Sequence, residues 1–556
     1  MKQNTPLFLT LLFFLFQSCG DDQAPLTLEK GSIVNEVHQN NIGKIAFMTD
    51  WVPLKSFTNN DFKKALSISE TSELGFRMFL GHTLTYYLSE LAPDLSVNEL
   101  CDKGNFQLTF YVDEKEIYQY NLQTGAGSCD YKNSATVYGI PFKNKKELDH
   151  WGIYLWTKFM KLGGGQDALS LGNHAFKLEI RPYLEHQGLK VGDIIAQGAV
   201  ELSVYEETVD ETLMEIQAIA PTDRFEIDES PYNKAKIRQL NAKIAQQHFK
   251  KVTSIVILKD GKLVLEEYFN GADRTTLHDT RSVGKSLTSS IMGIAIEEGH
   301  LKSENAILKD FYTLANYQHP SPEKEQVSLK SLLTMSSGFG GTDMDPDSPG
   351  HEDKMYPTND WVKFGLDLPM DPNKVSGESW DYFTAGIVLL GEVLERTLPK
   401  GLEQYAEEKL FRPLGIKEYQ WKYTPKNTPN TAGGFQMSSL DNARYGQLYL
   451  DRGNYQGRSV LPEKWVASSL SKQVVISEEE ERYYGYLFWN RNYKIDDKTY
   501  EMYYASGNGG NRIMIFKDLG IVMVITARAY GTAYMHLQAD EIVEKYLLPA
   551  LLSTAD

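Results

Sequence analysis

Two textures divide the chain. Between residues 20 and 205, apolar positions recur with period two: Phe106, Leu108, Phe110 and Val112; Phe176, Leu178 and Ile180; and Val200, Leu202 and Val204. Successive side chains of a strand point to opposite faces, so this alternation predicts half-buried strands. An aromatic run over 149–160 reads as a helix between them. Together these elements predict a β-rich accessory domain, two packed sheets being the simplest arrangement. An acidic stretch follows, and 206–232 reads as a linker.

From 233 to 556 the pattern changes. Residues 234–250 have helical amphipathicity, and 253–258 and 263–269 read as strands joined by Lys259-Asp260-Gly261, an Asp-Gly hairpin signal. Near the other end, 513–516 and 521–526 are apolar strands around Lys517-Asp518-Leu519-Gly520, and 534–552 reads as a terminal helix. Strands at both ends of a largely helical middle predict an α/β sandwich whose sheet joins the termini and encloses a helical region.

The 556 residues are 42% hydrophobic and 24% charged, a globular balance that excludes collagen-like and wholly disordered classes. With 57 basic against 74 acidic residues the formal charge is −17, and no Lys/Arg run offsets it, so nucleic acid is not an expected partner. The first residues read as an address. Lys2 precedes an apolar run over 7–16 that is too short to span a bilayer, and Ser18 precedes Cys19. The run 16–22 resembles a bacterial lipoprotein signal, which predicts processing over 1–19, a lipid on Cys19, membrane attachment and a place in the cell envelope at the outer membrane; a signal peptide cut elsewhere is the alternative. The other cysteines, Cys101 and Cys129, either pair, closing a loop for roughly 3.5 kcal/mol in the chain-entropy model, or remain buried thiols.

The chemistry centres on Asp279-Thr280-Arg281-Ser282-Val283-Gly284-Lys285-Ser286. On a helix Ser282 and Lys285 share one face, their Cβ atoms roughly 5–6 Å apart, so the amine can take the hydroxyl proton. A lysine acting as a base near neutral pH must lose about 3 pKa units from ~10.4, roughly 4–5 kcal/mol. A helix N-terminus supplies only ~0.3–2 kcal/mol, so desolvation must do most of it. Ser-x-x-Lys occurs three times, and of the three only this one reads as buried: Leu287, Ile291, Met292, Ile294, Ala295 and Ile296 make its helix apolar on most sides up to Gly299. Ser321/Lys324 and Ser469/Lys472 lie in polar stretches.

This segment resembles the nucleophile motif of the penicillin-recognising serine hydrolases, the clan of class C β-lactamases, DD-peptidases and related esterases and amide hydrolases. Further segments match in chain order: 327–338 (VSLKSLLTMSSG), Trp380-Asp381-Tyr382-Phe383-Thr384-Ala385-Gly386, 410–416, Ala432-Gly433-Gly434-Phe435, and Gly507-Asn508-Gly509-Gly510-Asn511 in the place of the third motif. The resemblance covers 234–552 and implies the β-lactamase/transpeptidase-like fold, no cofactor, Ser282 as nucleophile, and Lys285 and Tyr382 as proton carriers. It implies an oxyanion site from the Ser282 amide and one from Gly510 or Asn511, with Thr384, Asn508, Gly509, Gly510 and Asn511 lining the substrate. Two positions depart from the family: Thr384 stands where asparagine is usual, and neutral Asn508 where Lys or His is usual. A β-lactam carboxylate would want that cation, so a less anionic small-molecule or oligomeric ester or amide is the expected substrate, with β-lactam or cell-wall peptide turnover as the alternative. Arg512 would compensate if it faced the site. A binding protein that kept the fold is the rival class.

Other chemistries lack their signatures. Gly-x-Ser-x-Gly, His-Glu-x-x-His and Cys-x-x-Cys are absent. Asp343, Asp345 and Asp347 imitate a calcium loop, but Ser348 and Lys354 replace its glycine and last carboxylate, so they read as a solvated acidic loop and no metal is expected. Residues 20–205 carry no catalytic pattern and read as a spacer or a module for an envelope partner.

Overall fold

The computed structural model describes residues 26–143, 150–495 and 497–553; the expected leader and Cys19 lie outside them. The chain forms two compact units, Met1–Glu206 and Glu207–Asp556.

In the first unit the alternating segments become the strands Gly104–Val112, Gly172–Glu185 and Ala196–Val204 of a six-stranded sheet, with Gly172–Glu185 between the other two. Ile45–Met48, Leu74–Phe79 and Val137–Lys143 form a second sheet of three strands. The apolar faces share one aromatic core: Phe47 meets Phe176 at 5.4 Å between ring centres, and Phe110 meets Phe142 at 5.9 Å. Phe159, from the helix Trp151–Lys161, stacks on Phe110 at 4.6 Å. Cys101 and Cys129 are joined in a disulfide that ties the helices Val97–Lys103 and Cys129–Ser134.

The second unit is built on an eight-stranded antiparallel sheet. Its order is Lys262–Tyr268, Val252–Lys259, Ile521–Ala527, Asn511–Phe516, Lys498–Gly507, Trp489–Ile495, Arg482–Tyr484 and Val474–Ser477. Strands from both ends of the unit therefore lie side by side at its centre. Helices cover both faces. Ile255 and Ile257 pack with Ile237 and Leu240 of Lys234–Ala245 and with Ile542 and Leu547 near the C-terminus. Val256 and Leu258, pointing the other way, pack with Leu287 and Ile291 of Gly284–Glu297 and with Tyr445 and Leu448 of Ser439–Leu450. Because both faces are covered, the central strands are continuous apolar runs, each buried Ile, Val or Leu contributing roughly 1.5–3 kcal/mol over exposure.

The stretch 206–232 is not a free linker. Despite its acidic composition, Ile216, Ile219 and Phe225 pack against the second unit's cores. Gln217 exchanges hydrogen bonds with the Tyr268 backbone, and Arg224 pairs with Asp441. Its scattered apolar residues match neither period, which hid the docking from the sequence.

One anchor of this strap carries a pH dependence. The Glu267 carboxyl, 1% exposed, accepts hydrogen bonds from Gln217 N–H and Asn241 Nδ2. Burial outweighs both and pushes its pKa up from 4.5 to about 7. The fold thus favours the protonated acid: this contribution is complete below about pH 4.5 and is lost as pH rises through about 7. In urea denaturation, Glu267→Gln should remove on the order of 2 kcal/mol of the stability loss between pH 5 and pH 8; parallel pH profiles for wild type and variant would refute the assignment.

Candidate active site

Ser282 sits in a single 3-10 turn, Arg281–Val283, that opens the helix Gly284–Glu297. Arg281 holds a left-handed backbone, φ 54°. Two other backbones press on this turn where no side chain fits. A Cβ on Gly433 would lie 3.1 Å from the Ser282 nitrogen, and one on Gly507 would lie 1.9 Å from the Thr280 carbonyl oxygen. The hydroxyl bearer is therefore wedged between two glycines from distant parts of the chain.

Lys285 is 1% exposed. Its Nζ donates to Ser282 Oγ at 2.7 Å and to the Ala432 carbonyl oxygen at 2.7 Å. No ion pair to this amine is present among the described residues. Burial does not distinguish the three Ser-x-x-Lys copies as expected, because Lys324 and Ser469 are also fully buried. Pairing distinguishes them. Lys324 Nζ donates to the Gln318 and Leu366 carbonyls while Ser321 caps a short helix, and Lys472 pairs with Glu501.

Tyr382 brings its ring to 5.1 Å from Lys285 Nζ. Its other neighbours are aromatic: Trp489 stacks on it at 5.5 Å, and Trp380 lies 5.4 Å from Trp489. The Tyr382 hydroxyl makes no hydrogen bond among the described residues. Asp343 is not the solvated residue expected. Its N–H donates to the Tyr382 carbonyl oxygen, and its carboxylate accepts from Thr384 N–H and Glu352 N–H, each at 2.7 Å. Burial pushes this carboxyl up, Glu352 adds to that, and the Thr384 contacts and the Lys285 charge draw it down. Asp345 and Asp347, in contrast, are exposed.

The strand Lys498–Gly507 pairs with Trp489–Ile495 only as far as Tyr504. Ala505, Ser506 and Gly507 run on past that partner and end against the Ser282 turn, where a Cβ on Gly507 would lie 3.1 Å from Ser282 N. Beyond them the chain turns at Asn508, Gly509 and Gly510, the glycines with φ 95° and 89°.

A beta-lactamase family model matches residues 236–546, more than half of the chain. The chain belongs to the beta-lactamase family. It is 24% identical over 257 residues to an uncharacterized protein of Alkalihalophilus pseudofirmus, covering 41% of this chain and 67% of that protein. It is 23% identical over 193 residues to protein flp of Staphylococcus aureus, covering 33% of this chain and 37% of that protein. Among solved structures, the octameric penicillin-binding protein homologue from Pyrococcus abyssi has 20% identity and a TM-score of 0.44, over 56% of this chain and 76% of that one.

Within this beta-lactamase fold the third segment sits two residues earlier than its sequence pattern suggests. Asn508 is exposed in the turn, its Oδ1 accepting from Gly531 N–H. Asn511 is 1% exposed and closes the hairpin, Oδ1 accepting from Ala527 N–H and Nδ2 donating to the Asn508 carbonyl. Gly509 N–H meets Met535 Sδ, and a Cβ on Gly510 would lie 2.6 Å from the Met535 carbonyl. The glycine whose backbone lies against Ser282 is thus Gly507, while Gly509 and Gly510 lie against Tyr530 and Met535. Thr384 is buried at the head of the helix Thr384–Thr397 and does not line a surface. Arg512, 3% exposed, is committed to Asp540 and the His536 carbonyl and offers no compensating cation. Sequence reading missed Asp343, Trp489 and the role of the Ala432 carbonyl; the Ala432-Gly433-Gly434-Phe435 match was the one signal for the last. Gly507→Ala should displace the Ser282 turn and lower kcat/KM about 100-fold on p-nitrophenyl acetate, with the far-ultraviolet spectrum unchanged; near-wild-type turnover would show that the close approach is dispensable.

Proposed function

We propose that this protein is an exported, lipid-anchored serine hydrolase that cleaves an ester or amide through a Ser282 acyl-enzyme. The supporting observation is the buried Lys285 amine, without an ion pair among the described residues and 2.7 Å from Ser282 Oγ. Lys285 Nζ takes the hydroxyl proton as Oγ bonds to the substrate carbonyl carbon, and the carbonyl electron pair moves to oxygen. The Ser282 amide and an amide of the Ser506–Asn508 strand end hold that oxyanion. On collapse the bond to the leaving group breaks, and the leaving atom takes the proton from Lys285, directly or through Tyr382. Water, deprotonated by the same pair, then releases the acid and restores the serine.

A neutral acyl group is favoured by what surrounds the serine. Ala505, Ser506 and Gly507 carry no charge, and Arg512 is taken by Asp540. The Trp380, Tyr382 and Trp489 rings offer an apolar wall. Residues 1–19 supply the address and anchor, and the β-rich unit acts as a spacer or partner-binding module. A fluorophosphonate probe should label Ser282, and p-nitrophenyl esters or D-amino acid amides should turn over at least about 100 times faster than nitrocefin, a difference of roughly 2.7 kcal/mol. Ser282→Ala should abolish labelling and turnover. Nitrocefin as the preferred substrate would reverse the substrate assignment, and unlabelled wild type would leave a binding protein in its place.

A further inference from the structure

We propose that Asp343 is a positioning residue for the proton-transfer pair: it clamps the segment that carries Tyr382. The inference rests on the serine hydrolase reading above. Three hydrogen bonds carry it. Asp343 N–H donates to the Tyr382 carbonyl oxygen, and Asp343 Oδ2 accepts from Thr384 N–H, both at 2.7 Å. One residue therefore holds the backbone on either side of Phe383 and fixes where the Tyr382 ring leaves the chain. Thr384 opens a buried helix, so the carboxylate also caps its N-terminus. The third bond, from Glu352 N–H to Oδ1 at 2.7 Å, anchors the clamp on a different element.

The clamp reaches from the loop to the ring beside the amine: Glu352, which anchors it, accepts from the Tyr356 hydroxyl at 2.8 Å, and Tyr382, which it holds, lies against Lys285 with 5.1 Å between ring centre and Nζ.

The split between kcat and KM separates a positioning role from a scaffold role. In p-nitrophenyl ester turnover Asp343→Asn, which keeps one acceptor of the clamp and loses the other, should lower kcat and the rate of fluorophosphonate capture by Ser282 about tenfold as the clamp loosens, with KM and the urea midpoint nearly unchanged. Asp343→Glu, which restores both acceptors, should recover part of that loss. Asp345→Asn, in the exposed part of the loop, should change neither rate. An unchanged kcat in Asp343→Asn, a fall accounted for by lost folded protein, or equal effects from Asp345→Asn would overturn the proposal while leaving the serine hydrolase reading intact. If wild type itself captures no probe at Ser282, both fall together; that outcome is recognisable because the Ser282→Ala control then matches wild type.

Discussion

A lysine amine buried against a serine hydroxyl, with no carboxylate paired to it among the described residues, is the constraint on which the rest of the second unit turns. The lysine gets there because the helix that bears it is buried along most of its length, from Gly284 to Ala295. The Ala432 carbonyl oxygen holds the amine from one side, and Ser282 fills the remaining direction. Low-dielectric burial strengthens both contacts.

A second constraint is steric and acts through glycine. Three backbones converge at the Ser282 turn, and two of them arrive without side chains, at Gly433 and Gly507. The left-handed Arg281 is the local cost, of the order of 1–3 kcal/mol for a non-glycine residue held there. It is offset by the wedge: the neighbouring strand end and the Ala432-Gly433 segment leave the turn no alternative. Hydrophobic burial on both faces of the central sheet keeps those backbones rigid, so precision at the serine is inherited from packing some distance away.

Elements with strong periodicity were legible, and contacts made by geometry alone were not. Alternation at Phe106–Val112 and at Phe176–Ile180 exposed two strands of the first unit, and the spacing of Ser282 and Lys285 pointed to two side chains that lie in hydrogen-bond contact. Spacing could not say which copy of Ser-x-x-Lys was assembled, because burial, the criterion applied, is shared by Lys324. The third segment was displaced because Asn508-Gly509-Gly510 looks like a cradle but is a turn, while Ser506-Gly507, whose glycine touches the Ser282 turn, has no distinctive letters. Asp343 was hidden for a related reason. Among neighbouring acidic residues nothing in sequence marks the one whose carboxylate turns inward to the Thr384 amide.

Charge accounting around the serine bears on what the site accepts. Arg281, adjacent to the nucleophile, lies over the Tyr530 ring at 4.6 Å and beside Asp279. Lys422 pairs with the same aspartate at 2.6 Å, and Arg512 with Asp540. Each cation is engaged within the protein, and the strand end beside Ser282 adds none. A substrate carboxylate would have to displace one of these pairs and leave a carboxylate of the protein, such as half-buried Asp540, without its cation. A neutral ester or amide, the proposed substrate, would meet no such penalty, and its apolar parts would find the Trp380, Tyr382 and Trp489 rings, where burial rewards them at about 25 cal/mol per Å². On the proposed reading, selection against negative charge would thus come from the pairing of the surrounding arginines and lysines, not from a repelling group in the site.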